Sequence, residues 1–520
     1  MISNGVGRQL PEKIGDYVCK PYKDIFGEAP APTPVVSRRT LKLVKPGESK
    51  LLPTLKDAIK ATGLRDGMTI SFHHCFREGD MVIGQVLTAI REMGIKGLRF
   101  APSAVINIKE PSIVDFVRDG TIDRIEASGI RGQLGDAVID GLMDKPVILR
   151  PHGARPRAIE SGCLAIDVAF IGASSADDYG NATGQTGPNA CGSLGYAFID
   201  ARCAAQVVVI TDNLVGYPCV PTSISQSFVD YVVRVEQIGD SEKIGKGAAR
   251  VTKNPRDLLI ADRAAQVIAA SRLFVDGYSY QTGAGAISIA CTNYLADATA
   301  ARGIKASFAL GGTTAAIVDM YNRGLVRTVQ CSQSFDAVAA RAIVENPNIV
   351  EIDNEVYSNP HNKGCMANRL NFGILGALEV DVDFNVNILT GSSGEMMGGL
   401  GGGPDVATGA DISIVTLPVV RGRTPSIVKR VFTACTPGES VAVVVTEAGI
   451  ALNPKHRFYR ELKEDLEKTT LKLVSIEDLH RIAIGITGEP KPIETTDKIV
   501  CVVEYRDGTV IDVIRQVKRP

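Results

Sequence analysis

The sequence predicts an α/β protein built from two similar domains in tandem, each with a mainly parallel sheet. The prediction rests on three features: an internal near-repeat, an alternation of short apolar runs with helix-like stretches, and one charged segment between the halves. In the repeat, Ile113-Val-Asp-Phe-Val-Arg-Asp-Gly120 parallels Ile317-Val-Asp-Met-Tyr-Asn-Arg-Gly324, and Gly94-Ile95-Lys96 parallels Gly303-Ile304-Lys305. A period of about 200 residues is too long for a solenoid and suits a duplicated domain. The offset shrinks by five residues between the two matches, which places a short insertion near Ile106 to Glu110, in a loop. A duplicated fold makes the seam between its halves the default place for a site.

The elements follow in order. Residues 1–50 contain Ala29-Pro-Ala-Pro-Thr-Pro34 and little periodicity, which predicts an extended arm over a neighbouring domain or subunit. Residues 51–239 form the first domain, with Met68 to Phe72 a strand, Val82 to Glu92 a helix and Gly97 to Phe100 a strand. Pro146 to Leu149 and Val207 to Ile210 are β-branched runs of the kind buried in parallel sheets. Residues 240–263, charged and interrupted by Gly245, Gly247 and Pro255, form the linker. Residues 264–520 form the second domain. Its strands include Ala306 to Leu310 and the run Ile412 to Val420; Phe458 to Lys472 is an amphipathic helix, and Asp507-Gly508 turns a hairpin between Ile499 to Tyr505 and Thr509 to Ile514.

Composition narrows the function. A chain that is 45% hydrophobic can bury two cores, and a formal net charge of −1 argues against nucleic acid as a partner. No apolar stretch is long enough for a membrane span, and the first residues lack the apolar core of a secretory signal, so a cytoplasmic protein is expected. Eleven cysteines without a Cys-x-x-Cys pair, and six histidines of which only His73 and His74 adjoin, offer no metal-ligand spacing; no metal is expected. Phosphate-loop, serine-elbow and dinucleotide fingerprints are all missing.

Gly398-Gly-Leu-Gly-Gly-Gly-Pro-Asp405 is the segment richest in chemistry. Glycines let consecutive N–H dipoles converge on an oxyanion; the alternative is a turn between strands. Arg150-Pro-His-Gly-Ala-Arg-Pro-Arg157 follows a strand and combines Arg155, Arg157 and His152, a set able to fork onto carboxylates; its other reading is an exposed basic loop. His73 and His74 follow a strand in the same half, either as a site or as a buried hydrogen-bonded pair. Gly311, Gly312 and Thr313, after the strand Ala306 to Leu310, offer backbone donors or a simple turn.

Asp167-Val-Ala-Phe-Ile-Gly-Ala-Ser with Asp178-Tyr-Gly-Asn181, together with Val380-Asp-Val-Asp-Phe-Asn and the glycine loop, resembles the paired halves of CoA transferases. Over its whole length the chain is similar to the citrate lyase alpha-chain family. The resemblance implies two CoA-transferase-like three-layer α/β/α domains and a cytoplasmic, hetero-oligomeric complex with a beta lyase chain and a gamma chain, the acyl carrier protein, this chain itself being present in several copies. It implies no cofactor on this chain, but a CoA-like phosphopantetheine group on the carrier, whose acetyl group is exchanged for citryl with release of acetate. The family's glycine loop faces the thioester, a role that carries onto Gly399, Gly401, Gly402 and Gly403, with Asp405 fixing the loop. The family's covalent branch uses a glutamate in a Ser-Glu-Asn-Gly turn. Here the region reads Asp353-Asn-Glu355-Val-Tyr-Ser-Asn359, a departure that fits citrate itself as nucleophile and leaves Glu355 as the acidic candidate or as a plain strand-end carboxylate. Two other functions suit the same residues: a CoA-transferase with a glutamyl intermediate, and an acyl-CoA-binding sensor without catalysis.

Overall fold

The computed structural model describes residues 1–25, 47–105, 112–245 and 252–518. The predicted insertion at Ile106 to Glu110 and the Pro-rich run Ala29 to Pro34 lie outside them. Two large sheets dominate. The first contains β1 (Leu51–Leu52), β2 (Thr69–Ser71), β3 (Leu98–Phe100), β4 (Ile122–Ala127), β5 (Val147–Leu149), β6 (Val168–Gly172), β7 (Gln206–Thr211) and β8 (Tyr231–Arg234). The second contains β9 (Ser279–Thr282), β10 (Ala306–Thr313), β11 (Val326–Ser334), β12 (Ile349–Glu351), β13 (Phe372–Gly376), β14 (Ile412–Thr416), β15 (Val443–Val445) and β16 (Ile450–Leu452). A C-terminal hairpin adds β17 (Thr495–Glu504) and β18 (Val510–Val517).

Strand order exposes the duplication. The first sheet runs β18-β17-β5-β4-β3-β2-β6-β7-β8-β1 and the second β12-β11-β10-β9-β13-β14-β15-β16. The stretch β5-β4-β3-β2-β6-β7-β8 therefore matches β12-β11-β10-β9-β13-β14-β15 strand for strand. All neighbours are parallel except the pairs β17–β18 and β15–β16. The repeated segments Ile113 to Ile125 and Ile317 to Val329 occupy equivalent places, each a short helix entering the strand next to the inner one. Parallel strands need crossover connections. The helix Val82–Glu92 serves as one, burying Val82, Ile83, Val86, Leu87 and Ile90.

Three expectations need correction. The hairpin joins the first sheet, with Cys501, Val502 and Val503 beside Val147, Ile148 and Leu149, so the segment 264–520 does not form one unit. Strand β5 is apolar and would otherwise present an open edge. The linker is shorter than 240–263: Pro255 starts the helix Pro255–Ala270, capped by the Asn254 side chain, because proline at the first helical position sacrifices an N–H that has no partner anyway. The helix near Phe458 spans only Tyr459–Leu466. The halves meet through loops that follow their strands and through the short helices Ala154–Glu160, Ala197–Cys203 and Asn354–Ser358. The N-terminal arm crosses the chain's own C-terminal hairpin, where Tyr22 packs edge-on against Tyr505 at 4.8 Å and Arg8 pairs with Asp512 at 3.1 Å. Among the described residues no helix is long and apolar enough to cross a membrane.

Candidate active site

Equivalent loops from the two halves contact each other reciprocally. His152, after β5, donates its N–H to Gly401 O at 2.8 Å; Asn354, after β12, donates its N–H to Gly195 O at 3.1 Å. These are repeat-related pairs, since Gly192-Ser-Leu-Gly-Tyr196 occupies in the first half the place of Gly398-Gly-Leu-Gly-Gly402 in the second. Two Asp-x-x-x-Asn turns repeat as well. Asp177 accepts from the Asn181 backbone and amide at 3.0 and 2.8 Å, and Asp381 from the Asn385 groups at 2.9 and 3.2 Å. Backbones approach closely at this seam: a Cβ on Gly129 would fall 2.3 Å from Gly399 Cα.

A cavity of about 300 Å³ lies there, lined by residues of both halves. Its polar wall is His152, Tyr196, Gln281, Tyr357 and the loop Gly399 to Gly403; Leu375, Val386, Ile388 and Val415 supply an apolar side. Among the described residues, no aspartate, glutamate, lysine or arginine lines it. Within the loop, Gly401 takes φ +55°, whereas Gly402 sits at φ −95° and ψ 6°. Left- and right-handed residues in succession turn neighbouring N–H groups toward one point. The N–H groups of Gly399, Gly401 and Gly402 have no acceptor among the described residues, while Leu400 N–H is committed to Ser128 O at 2.7 Å and Gly403 N–H to Leu400 O at 3.3 Å. Gly402 is needed for space rather than for φ, because its Cβ would stand 2.1 Å from the Tyr357 hydroxyl.

Side chains around the loop are held by one another. Gln281 Nε2 donates to the Tyr357 oxygen at 2.7 Å, which leaves the Tyr357 hydroxyl proton available. Tyr196 Oη lies 2.8 Å from His152 Nδ1. With the Tyr196 hydroxyl donating to Nδ1, the neutral imidazole carries its own proton on Nε2. Burial, with the charges of Arg155 and Arg77, pulls His152 down to about 3, so the ring is a neutral donor. Asp405 accepts from Gly153 N–H at 2.9 Å and ties the loop to the first half; burial raises its carboxyl to about 7.

Other residues singled out in the sequence have different placements. Arg155 is buried and forked onto Asp200 at 2.9 and 2.8 Å, with Ala101 O at 3.0 Å. Arg157 is buried near Glu504 at 3.6 Å, beside Arg150, which Glu504 and Glu126 hold. Neither the exposed-loop reading nor that of guanidinium groups free to meet a substrate fits this arrangement, since carboxylates distant in sequence neutralise each group. His73 is a buried structural histidine, its Nε2 2.8 Å from Gly172 O and its Nδ1 accepting from Cys75 N–H at 3.2 Å. His74 is also buried, 2.6 Å from Ser103 Oγ and packed on Tyr196. Gly311, Gly312 and Thr313 belong to β10, paired with Cys331, Gln333 and Ser334, and of the three only Gly312 lines the cavity. Glu355 is buried, ion-paired with Arg202 and absent from the lining.

Sequence reasoning missed Tyr196, Gln281, Tyr357 and the Gly283-Ala284-Gly285 bend before the helix Ala286–Arg302. Carrying the repeat through to strand ends would have found the bend and Tyr196, since Gly283-Ala284 occupies the place of His73-His74 and Tyr196 that of Gly402; Gln281 and Tyr357 have no such signal.

The sequence profile of the family described as citrate lyase, alpha subunit, matches residues 48–517. The chain is 48% identical to the citrate lyase alpha chain of Klebsiella pneumoniae over 471 residues, 91% of this chain and 92% of that one. It is 48% identical to that of Escherichia coli (strain K12) over 481 residues, 92% and 94% of the two chains. Among solved structures, the alpha subunit of citrate lyase from Streptococcus mutans in complex with citrate superposes with a TM-score of 0.95 at 46% identity, covering 99% of this chain and 100% of that chain. A malonate decarboxylase alpha subunit from Acinetobacter baumannii shares the fold, with a TM-score of 0.63 at 16% identity over 84% of this chain and 88% of that one.

Proposed function

The chain belongs to the citrate lyase alpha-subunit family, a transferase component of the multi-subunit citrate lyase complex, and from that premise we propose that the seam cavity is where acetyl is exchanged for citryl on a carrier thioester. A citrate carboxylate attacks the acetyl carbonyl, the C–S bond breaks and an acetyl–citryl anhydride forms. The released thiolate then attacks the citryl carbonyl, and acetate leaves. Both additions pass through an oxyanion. The N–H groups of Gly399, Gly401 and Gly402, with His152 Nε2–H and the Tyr357 hydroxyl, are donors fixed in advance for it; one such donor contributes about 2.7 to 4 kcal/mol to lowering a barrier of this type. A neutral imidazole suits this task, as it donates without placing a full charge beside the thiolate. The apolar wall suits the thioester arm of a phosphopantetheine group brought by an acyl carrier protein, with a separate beta chain cleaving the citryl product in the cytoplasm.

The absence of any carboxylate from the cavity lining among the described residues supports citrate, rather than Glu355, as the nucleophile. The test is a single turnover with excess purified chain, an acetyl thioester, and citrate labelled with heavy oxygen in its carboxylates. Labelled acetate in the first turnover is expected. Unlabelled acetate would mean that an enzyme carboxylate had accepted the acetyl group, and no exchange at all would remove the transferase reading of this cavity.

A further inference from the structure

On the far side of Gly399 a second cavity, of about 160 Å³, is lined by His74, Arg77, Glu78, Ser128 and Arg131 among others. It holds the cations that the larger cavity lacks. Arg131 is half-exposed and already neutralised, its Nη2 lying 2.7 Å from Glu78 Oε1. Arg77 differs. Among the described residues its guanidinium has neither a carboxylate partner nor a hydrogen-bond acceptor; it lies over the Phe335 ring, 4.7 Å from the centroid, and Phe335 lines the larger cavity. Arg77 thus stands between the two spaces, next to the glycine loop that both share. Its pKa is lowered, chiefly by burial, with Tyr196 and Glu78 acting in the opposite direction.

The backbone also marks the position. Arg77 has φ +53°, one of two non-glycine residues in the left-handed region among those described. Such a conformation persists only where its surroundings enforce it, and it concentrates at functional sites. Here they do enforce it. Arg77 N–H bonds His74 O at 3.1 Å, Asp240 N–H bonds Gly79 O at 2.8 Å, and Met81 N–H bonds Ile238 O at 3.0 Å. Gly79 is so tightly covered that a Cβ would fall 2.6 Å from Ile244 and 2.7 Å from Asp240 O. The loop is clamped in the form that sets at the seam a guanidinium without an ion pair or hydrogen bond among the described residues.

Resting on the transferase reading above, we propose that Arg77 binds a carboxylate of citrate that does not react, and so selects the tricarboxylate over acetate. A substrate that places one carboxylate at the glycine loop must neutralise the others nearby, and among the described residues no cationic side chain lines the larger cavity. Acetate has no second carboxylate to leave in the Arg77 cavity, so the leaving product is held less tightly than the entering acid. The same guanidinium could instead meet a phosphate of the thioester arm, a source that the experiment separates.

Arg77→Gly removes the cation and suits the left-handed backbone, so this variant keeps its fold; Arg77→Lys keeps the charge without the fork. With a wild-type control, exchange kinetics give KM for citrate and for the acetyl thioester separately, and calorimetry gives the citrate Kd directly. For Arg77→Gly, loss of a charge-assisted contact predicts a citrate KM and Kd raised about 10- to 150-fold, with the thioester KM unchanged and Arg77→Lys intermediate. An unchanged citrate Kd would overturn the proposal, and a selective rise in the thioester KM would reassign Arg77 to phosphate. If wild type binds citrate but exchanges nothing, the transferase reading fails, while the calorimetric comparison still decides whether Arg77 holds the tricarboxylate.

Discussion

Two adjacent glycines in the loop serve different purposes, and their substitutions should separate. Gly401 needs its positive φ, and a Cβ there would meet nothing closer than His152 Cε1 at 4.0 Å; alanine at this position costs about 1 to 2 kcal/mol of backbone strain and little else. Gly402 has an ordinary φ but no room, because Tyr357 Oη occupies the place of its Cβ. Gly402→Ala must displace either the Tyr357 hydroxyl or the loop's N–H groups. Its kcat should fall on the order of 100- to 1,000-fold while the melting temperature stays within a few degrees of wild type. Near-normal exchange on an acetyl thioester would take the loop out of catalysis. At this scale the sequence was legible where a residue type has one dominant use: the glycine cluster lines the cavity between the halves. The arginines were misread, since a guanidinium shows its charge in the sequence but not its partner. Asp200 and Glu504 lie 45 and 354 residues from the arginines they neutralise.

Among elements, the short helix Gly403–Gly409 couples the loop to the first half through Asp405. That carboxyl is fully buried, accepts Gly153 N–H, and lies 3.8 Å from Arg506 Nε. Burial raises it from 3.8 to about 7, so the folded chain holds this proton more tightly than the unfolded chain does. Between those two values stability must fall as pH rises, because the folded state alone retains the proton. Asp405→Asn keeps an acceptor for Gly153 and removes the titration. Relative to wild type, its melting temperature should rise from pH 4 toward pH 8 and level off above about 7. A constant difference between the two proteins across that range would show that Asp405 is ionised throughout. The repeat predicted where such elements stand, because Ile113 to Ile125 and Ile317 to Val329 keep the same helix–strand register. It could not show that the loops at their ends interlock, since Gly129 against Gly399 and His152 against Gly401 are contacts between backbones, with no side-chain pattern to announce them.

Considered whole, the molecule is two copies of one strand order, and the expected boundary failed at the C-terminus. The sequence announces the hairpin through Asp507-Gly508 but carries no sign of which sheet it extends, because the apolar runs of β17 fit either. Electrostatics decides it physically: Glu504 at the end of β17 bonds Arg150 at the end of β5 at 2.6 and 3.0 Å, and that arginine pulls the glutamate below its ordinary range despite burial. Both groups are sealed from water, and removing one member of such a pair costs about 3 to 5 kcal/mol by stranding the other. Truncation before Thr495 removes Glu504 and also uncovers Val147, Ile148 and Leu149, together with the N-terminal arm's contacts to Tyr505 and Asp512. The shortened chain should therefore lose the first half's cooperative unfolding transition, or aggregate through the exposed edge, even though every strand of the first domain's own repeat is still present. If thermal melting and acetyl-to-citryl exchange survive the truncation unchanged, the hairpin is an appendage, and the first half is complete at Arg234 as its repeat partner is at Val445.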